Sequence, residues 1–285
     1  MGSPIIDKKN MKKTLTQRIF VLLLATIFWQ NATVHAQDAV FGQFYAAPMN
    51  LNPAMTGVFG GQWRANINYR QQWTNIFSDF PLQTLHAGFD YKFRVMDDDF
   101  LCVGADFLRD ELGGDARLNR TYGNLSLSFM KQLNGSRYRS GDQYLILGLQ
   151  GGVGQHAMGG NSLWFDRQFD PLAANVNTNL PTGELTPQAG KIYPDFNAGL
   201  MWYSVMDDNQ SIYVGISGHH ILQPNISFFN NSKENLYRRF SLNFGGEVPI
   251  SQQLSLLPGL LATLQGPSMT TAFGTNFRYS NHDWN

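Results

Sequence analysis

The stretch Gln62-Trp63-Arg64-Ala65-Asn66-Ile67-Asn68-Tyr69-Arg70 decides the fold. Every second residue is apolar and every intervening one is polar, the period of a strand whose two faces meet different surroundings. The same alternation returns downstream: Leu125, Leu127 and Phe129 interleave with Asn124, Ser126 and Ser128, and Leu242 and Phe244 with Ser241 and Asn243. About ten segments qualify as strands: Gln62 to Gln72, Leu82 to Phe93, Phe100 to Arg109, Thr121 to Gln132, Gln143 to Gly154, Ile192 to Val205, Gln210 to Ile221, Leu236 to Val248, Gln253 to Leu264 and Met269 to Ser280. Their length fits the roughly nine to eleven residues with which a tilted strand crosses hydrocarbon. The expected fold is therefore an all-β, transmembrane antiparallel β-barrel.

The connections test this independently, because bacterial barrels join strands by short periplasmic turns and longer outer loops. Val95 to Asp99, Met206 to Asn209 and Pro249 to Gln252 are tight, and Leu133 to Asp142 is intermediate. Trp73 to Pro81, Asp110 to Arg120, Gln155 to Lys191 and Leu222 to Asn235 are the longer set. Gln265 to Ser268 departs from the rule by being short on the outer side. Trp73, Trp164, Trp202, Tyr203, Tyr237 and Phe240 lie near strand ends, where a membrane barrel carries aromatic girdles.

Composition agrees. Charged residues are 15% of the chain and aromatic residues 13%, against roughly 25% charged in ordinary soluble domains. With 21 basic and 21 acidic residues the formal net charge is zero, so no nucleic-acid partner is expected. The single cysteine, Cys102, has no second thiol and reads as a small hydrophobe.

Lys12, Lys13 and Arg18 precede an apolar stretch from Ile19 to Trp29, and Val34-His35-Ala36 then supplies small residues where a signal peptidase reads. That stretch is too short to span a bilayer, which takes about twenty residues in a helix. The expected organisation is residues 1–36 as signal peptide with an N-terminal extension, 37–61 as a periplasmic lead-in and 62–285 as barrel, with cleavage between Ala36 and Gln37.

Other constellations favour bland readings. Asp97-Asp98-Asp99 lacks the spaced ligands, central glycine and distal glutamate of a calcium loop. His219 and His220, as neighbours on a strand, should face opposite sides and so fail to grip one ion. Gly148 to Gly154 mimics a phosphate cradle but ends a strand with no Lys-Ser/Thr after it, so close packing or bending is the better account of its glycines. A hydrolase built from Ser217, His219 and Asp195 has no nucleophile motif behind it. No catalytic, cofactor or metal site is expected.

Several motifs carry a resemblance. The lead-in Gln43-Phe44-Tyr45-Ala46-Ala47-Pro48-Met49-Asn50-Leu51-Asn52-Pro53-Ala54-Met55-Thr56-Gly57 resembles the opening signature of the PorP/SprF family of type IX secretion outer-membrane proteins of the Bacteroidetes. Tyr69-Arg70-Gln71-Gln72-Trp73 resembles the family's pattern at the end of the first strand, and Tyr213 to Asn225, with His220, Gln223, Pro224 and Asn225, continues the likeness. Arg238 to Leu242 and Leu264 to Pro267 add to it. The resemblance implies a structural or partner-facing role for Gln43, Pro48, Asn52, Pro53, Ala54, Gly57, Tyr69, Arg70, Trp73, His220, Gln223, Pro224 and Asn225. It also implies a non-enzymatic outer-membrane component supporting export or surface attachment of cargo such as gliding adhesins. Its partners would be the secretion machinery, including a periplasmic ring and other outer-membrane components, the secreted surface cargo and membrane lipid. Members of that family usually carry several more strands, so about fourteen are expected at full length, an even count typical of bacterial barrels, with C-terminal strands missing here. Two other readings compete: a passive porin or hydrophobic-solute channel, whose wet lumen would be lined by Arg64, Asn66, Asn68, Arg70, Asn124, Ser126, Ser128 and Asn243, and a soluble secreted β-sandwich adhesin.

Overall fold

The computed structural model describes residues 38–39, 41–75, 81–96, 98–112, 118–134, 141–158, 164–171, 175–177, 179–181, 183, 190–207, 210–229 and 233–279. Gln37–Asn285 forms one unit, separate from Met1–Ala36. The expected signal peptide and its cleavage site lie outside the described residues, as do Asp97, most of the Leu133 to Asp142 connection and Asp283 to Asn285.

The strands are β1 (Trp63–Gln72), β2 (Leu82–Met96), β3 (Asp99–Leu112), β4 (Leu118–Asn134), β5 (Asp142–Met158), the short β6 (Phe169–Asp170) and β7 (Asn175–Val176), then β8 (Ile192–Asp207), β9 (Gln210–His219), β10 (Arg239–Pro249), β11 (Leu254–Gln265) and β12 (Ser268–Tyr279). Ten of them form one open, curled antiparallel sheet in the order β1-β2-β3-β4-β5-β8-β9-β10-β11-β12, while β6 and β7 pair with each other inside the long connection. Each strand pairs with its neighbour in sequence, as a meander of hairpins demands. No helix among the described residues is long and apolar enough to cross a membrane.

All ten expected strands are present, several extending further than the alternation indicated. Two end sooner. β9 stops at His219 because His220 adopts a left-handed backbone, φ 55°, and β10 starts only at Arg239. The short Gln265 to Ser268 link is a full hairpin: Gly266 takes φ 56° ahead of Pro267, and pairing runs directly from Gln265↔Ser268. Register shifts fall at Arg94/Met96, Gln132/Asn134 and Val205/Asp207, all at the rim carrying the short connections. Bulges concentrate at barrel rims, where they sharpen the turn of a strand.

The two faces of the sheet invert the order of a soluble protein. On the convex face Ile67 is 79% exposed and Leu125 71%, with Leu127, Leu147, Ile216 and Phe273 also exposed. On the concave face Thr84, His86, Asp90, Ser126, Ser128, Gln150, Asn197 and Asn243 are buried. A sandwich would hide the first set and expose the second. Polar burial beneath an apolar exterior is the arrangement for a wall whose solvent is hydrocarbon.

The lead-in is folded and lies inside the curl. A 3-10 turn (Phe44–Ala46), a short helix α1 (Pro48–Leu51) and a second 3-10 turn (Pro53–Met55) bring Phe44, Leu51, Ala54 and Met55 against Met130, Ile146, Met201 and Leu261 of the wall. Burying side chains of this size contributes roughly 1.5–3 kcal/mol each. Tyr203 belongs to this inward set, stacked on Tyr144 at 6.4 Å, instead of the aromatic girdle expected of it. Its place in the period explains this, because Met201 and Tyr203 share the inward face while Trp202 turns outward.

Candidate functional site

The candidate site is the concave wall together with the segment it holds. Its centre is Asn52, fully buried. Pro48 starts α1 and Pro53 starts the next turn, both with preset φ and no N–H left unmet. Between them Asn52 is extended, φ −155°, so its side chain can cap the turn: Oδ1 accepts from Ala54 N at 2.9 Å. Nδ2 donates across the interior to Asn243 Oδ1 at 3.0 Å and to Ile216 O at 3.3 Å. The amide thus spends both kinds of group, and burial costs it little.

Glycines make the approach possible. Gly148 on β5 pairs with Gly199 on β8, and Gly215 lies on β9. A Cβ on Gly148 would overlap the Pro53-Ala54 peptide, one on Gly199 would overlap Asn52 Oδ1, and one on Gly215 would come within 2.7 Å of Asn52 Nδ2. These three positions form a saddle for the Asn52-Pro53-Ala54 turn. Close packing was the expected role of the Gly148 to Gly154 run, and for Gly148 the packed partner is the lead-in.

The wall otherwise grips main chain. Asn68 donates to Ala46 O at 2.7 Å, Arg239 to Asn50 O at 2.8 Å, Ser217 to Leu51 O at 2.8 Å and Ser128 to Thr56 O at 2.7 Å. Lys92 donates to Phe59 O at 2.8 Å. Arg64 reaches Met55 O and Val58 O while holding Asp90 by two nitrogens, at 3.0 and 2.7 Å, the paired geometry that a guanidinium offers a carboxylate. Asp90 in turn accepts from Gly57 N at 2.8 Å, and Gly57 needs its glycine for φ 81°.

A charged cluster closes the other end. The His220 ring donates from Nε2 to Asp38 Oδ2 at 2.7 Å and from Nδ1 to Asp195 Oδ2 at 2.8 Å. Arg239 Nη1 reaches the same Asp38 oxygen at 3.1 Å, and Asp38 N donates to Gln265 Oε1 at 2.9 Å. Burial alone would raise the Asp38 pKa, but His220 and Arg239 outweigh it and hold the carboxyl well below its usual range. Burial likewise opposes charge on His220, yet Asp38 and Asp195 raise it from 6.5 to about 9, so the imidazolium persists at neutral pH. A relay of amides ties this cluster to the wall: His220 N donates to Asn197 Oδ1, Asn197 to Gln150 Oε1 and Gln150 to Asp106 Oδ1, at 2.9, 2.7 and 2.7 Å. Beside it lies a cavity of about 30 Å³ lined by Asp38, Asp195 and Arg239 among others.

This geometry sorts the residues singled out from sequence. Asn52, Pro53, Ala54, Gly57, Pro48, Arg70 and His220 all belong to the interior; Arg70 donates to Thr84 Oγ1 at 2.9 Å. Gln223, Pro224 and Asn225 close the loop beyond His220: Gln223 N donates to His220 O at 3.0 Å, Pro224 O accepts from Leu236 N, and Asn225 Oδ1 collects Ser227 N and Glu234 N. Gln43, Tyr69 and Trp73 are exposed and stand apart from the interior. Among the described residues the only non-glycine positions with positive φ are Trp73, His220 and Gln223.

One expectation needs correction. His219 and His220 do not face opposite sides, since the strand ends between them and both rings turn inward, 6.5 Å apart. His219 lies 3.1 Å from Leu51 O and 3.2 Å from Ser217 Oγ. The notional Ser217, His219 and Asp195 set is not assembled, because Asp195 orients His220 and the lead-in covers Ser217. Sequence reasoning missed Asp38, Gln150, Asn197, Gly199 and Arg239; the last four had an inward position in the strand period as a signal, and Asp38, which lies ahead of the first strand, had none.

An apolar exterior, a polar concave wall and an internal segment seated on that wall define a membrane protein of the β-barrel class, with its own lead-in held against the inner face. Within that class the chain belongs to the PorP/SprF family: the family model for type IX secretion system membrane protein PorP/SprF matches residues 33–284. No curated protein sequence matches the chain. It is a membrane component of the type IX secretion system.

Proposed function

We propose that the protein sits in the outer membrane and supports export or surface attachment of cargo such as adhesins, acting as a scaffold or docking element without catalysis. The observation that carries this reading is the occupied interior. A passive channel needs an open polar lumen, whereas Arg64, Asn68, Ser128 and Asn243 of the wall are engaged with residues 46–58. These are four of the eight groups that would have lined a wet pore. A rigid wall with a seated segment suits contact with other machinery, and the connection between β5 and β8, which carries β6 and β7, is the longest between strands of the sheet.

The apolar convex face favours a lipid partner, and the short and long connections favour the long-connection rim as the outer one. Partners in the periplasm would meet the short turns. The test is deletion of the gene, with surface cargo measured alongside outer-membrane permeability to small solutes. Loss of surface cargo with unchanged permeability is expected; unchanged cargo with reduced solute uptake overturns the reading in favour of a channel.

A further inference from the structure

We infer that the concave wall is a peptide-binding groove for the chain's own lead-in, which it accepts N-terminus first, so that the processed N-terminus is presented at the long-connection rim and docking follows leader removal. The inference rests on the outer-membrane reading above for its sidedness and on the expected cleavage at Ala36-Gln37 for its order.

The direction of the segment is fixed by contacts at both rims. Phe59 and Val58 are held by Lys92 and Arg64, which lie toward the short-connection ends of β2 and β1. Asp38 is held by His220, just past β9, by Arg239 at the first position of β10 and by Gln265 at the last position of β11, all at the long-connection rim. Residues 38–59 therefore run through the curl from one rim to the other, and the chain enters β1 at the rim opposite Asp38.

The recognition is suited to a threaded segment. Most wall donors bind carbonyls, which every residue carries; the hydrogen-bonded oxygen and nitrogen side chains are those of Asn52 and Asp38, and Phe44, Leu51 and Met55 add apolar packing. Asp38 is the tip that engages last on such a path, and its carboxylate completes the His220–Arg239 cluster. A leader still attached at Ala36 and retained behind the membrane cannot follow Asp38 through to the far rim, because its apolar stretch and cationic flank would have to enter the same polar interior.

The test places a short epitope in the full chain at three positions, one per strain: after Gln37, after Trp164 in the long connection, and after Ser251 in a short turn. Antibody binding to intact and to permeabilised cells is compared. The Gln37 and Trp164 epitopes are expected on one side and the Ser251 epitope on the other. A Gln37 epitope that sides with Ser251 overturns the inference, whichever side that is; a Trp164 epitope facing the periplasm instead overturns the orientation in the proposed function and leaves the threading intact. In an Ala36→Arg chain, which retains its leader, surface binding of the Gln37 epitope is expected to be lost. Uncleaved chains that still display it at the surface overturn the order of events.

Discussion

Gly148→Ala is the smallest change that tests whether the lead-in is truly seated on the wall. The added methyl would occupy the space of the Pro53-Ala54 peptide, which is backbone and has no rotamer by which to yield. Overpacking of this kind costs roughly 1–3 kcal/mol, and freeing the turn also forfeits the Asn52 contacts to Asn243 and Ile216. At 1.4 kcal/mol per tenfold, the undocked population should rise roughly 5–150-fold. Amide exchange at Gly57 reads this directly, since its N–H is bonded to Asp90 Oδ2 of the wall only while the segment is docked. Gly123→Ala on the outward face, where a Cβ meets nothing within 4 Å, is the matched control and should leave exchange unchanged. Equal protection in Gly148→Ala and the parent protein would refute the seating.

Asn52→Ala should leave Asn243 without its buried partner and weaken docking by about 1–3 kcal/mol, measured as faster exchange at Gly57, whose N–H is bonded to Asp90, with the wall amides unaffected. The Asp38–His220 contact sets a pH window. Asp38 has a lowered pKa, so its contribution is full above 3.8 and is lost on further acidification; His220 has a raised one, so its contribution is full below 6.5 and fades as pH climbs through about 9. Protection of the Asp38 amide, corrected for intrinsic rate, should therefore hold near neutrality and fall above about 9, and His220→Gln should abolish that alkaline step. Leu147→Arg places a charge on the exposed convex face, at a cost of about 2–4 kcal/mol near the bilayer midplane; reduced recovery of folded protein in membranes checks it, and normal recovery would count against lipid contact.

The sheet was readable because a strand's period is a local property. Asn66, Ile67 and Asn68 announce two faces without reference to any distant residue, and hairpin partners are consecutive, so the strand order followed. The interior was not, because its contacts join residues far apart in the chain, as with Asn52 and Asn243 or Asp38 and Arg239. A polar inward residue looks the same in a sequence whether it meets water or a carbonyl. Gly148 shows the same limit: its missing side chain marked close packing, but not the packed partner. His220 misled because alternation presumes that the strand continues, and one left-handed residue ended it.

A wall that clasps carbonyl oxygens is largely indifferent to which amino acids present them. The lead-in can therefore be rewritten at Gln43 or Tyr45, whose side chains form none of the hydrogen bonds that clasp the segment, while the same backbone path is kept. Freedom ends at Asn52, at Gly57 with its left-handed turn, at Asp38, the sole acidic tip, and at the apolar side chains packed on the wall, such as Phe44, Leu51 and Met55. A randomised lead-in selected for a protected interior should return Asn52, Gly57 and Asp38 fixed, the buried Phe44, Met49, Leu51, Ala54 and Met55 restricted to apolar residues, and a constant length, since the two rims set how many residues must span the distance.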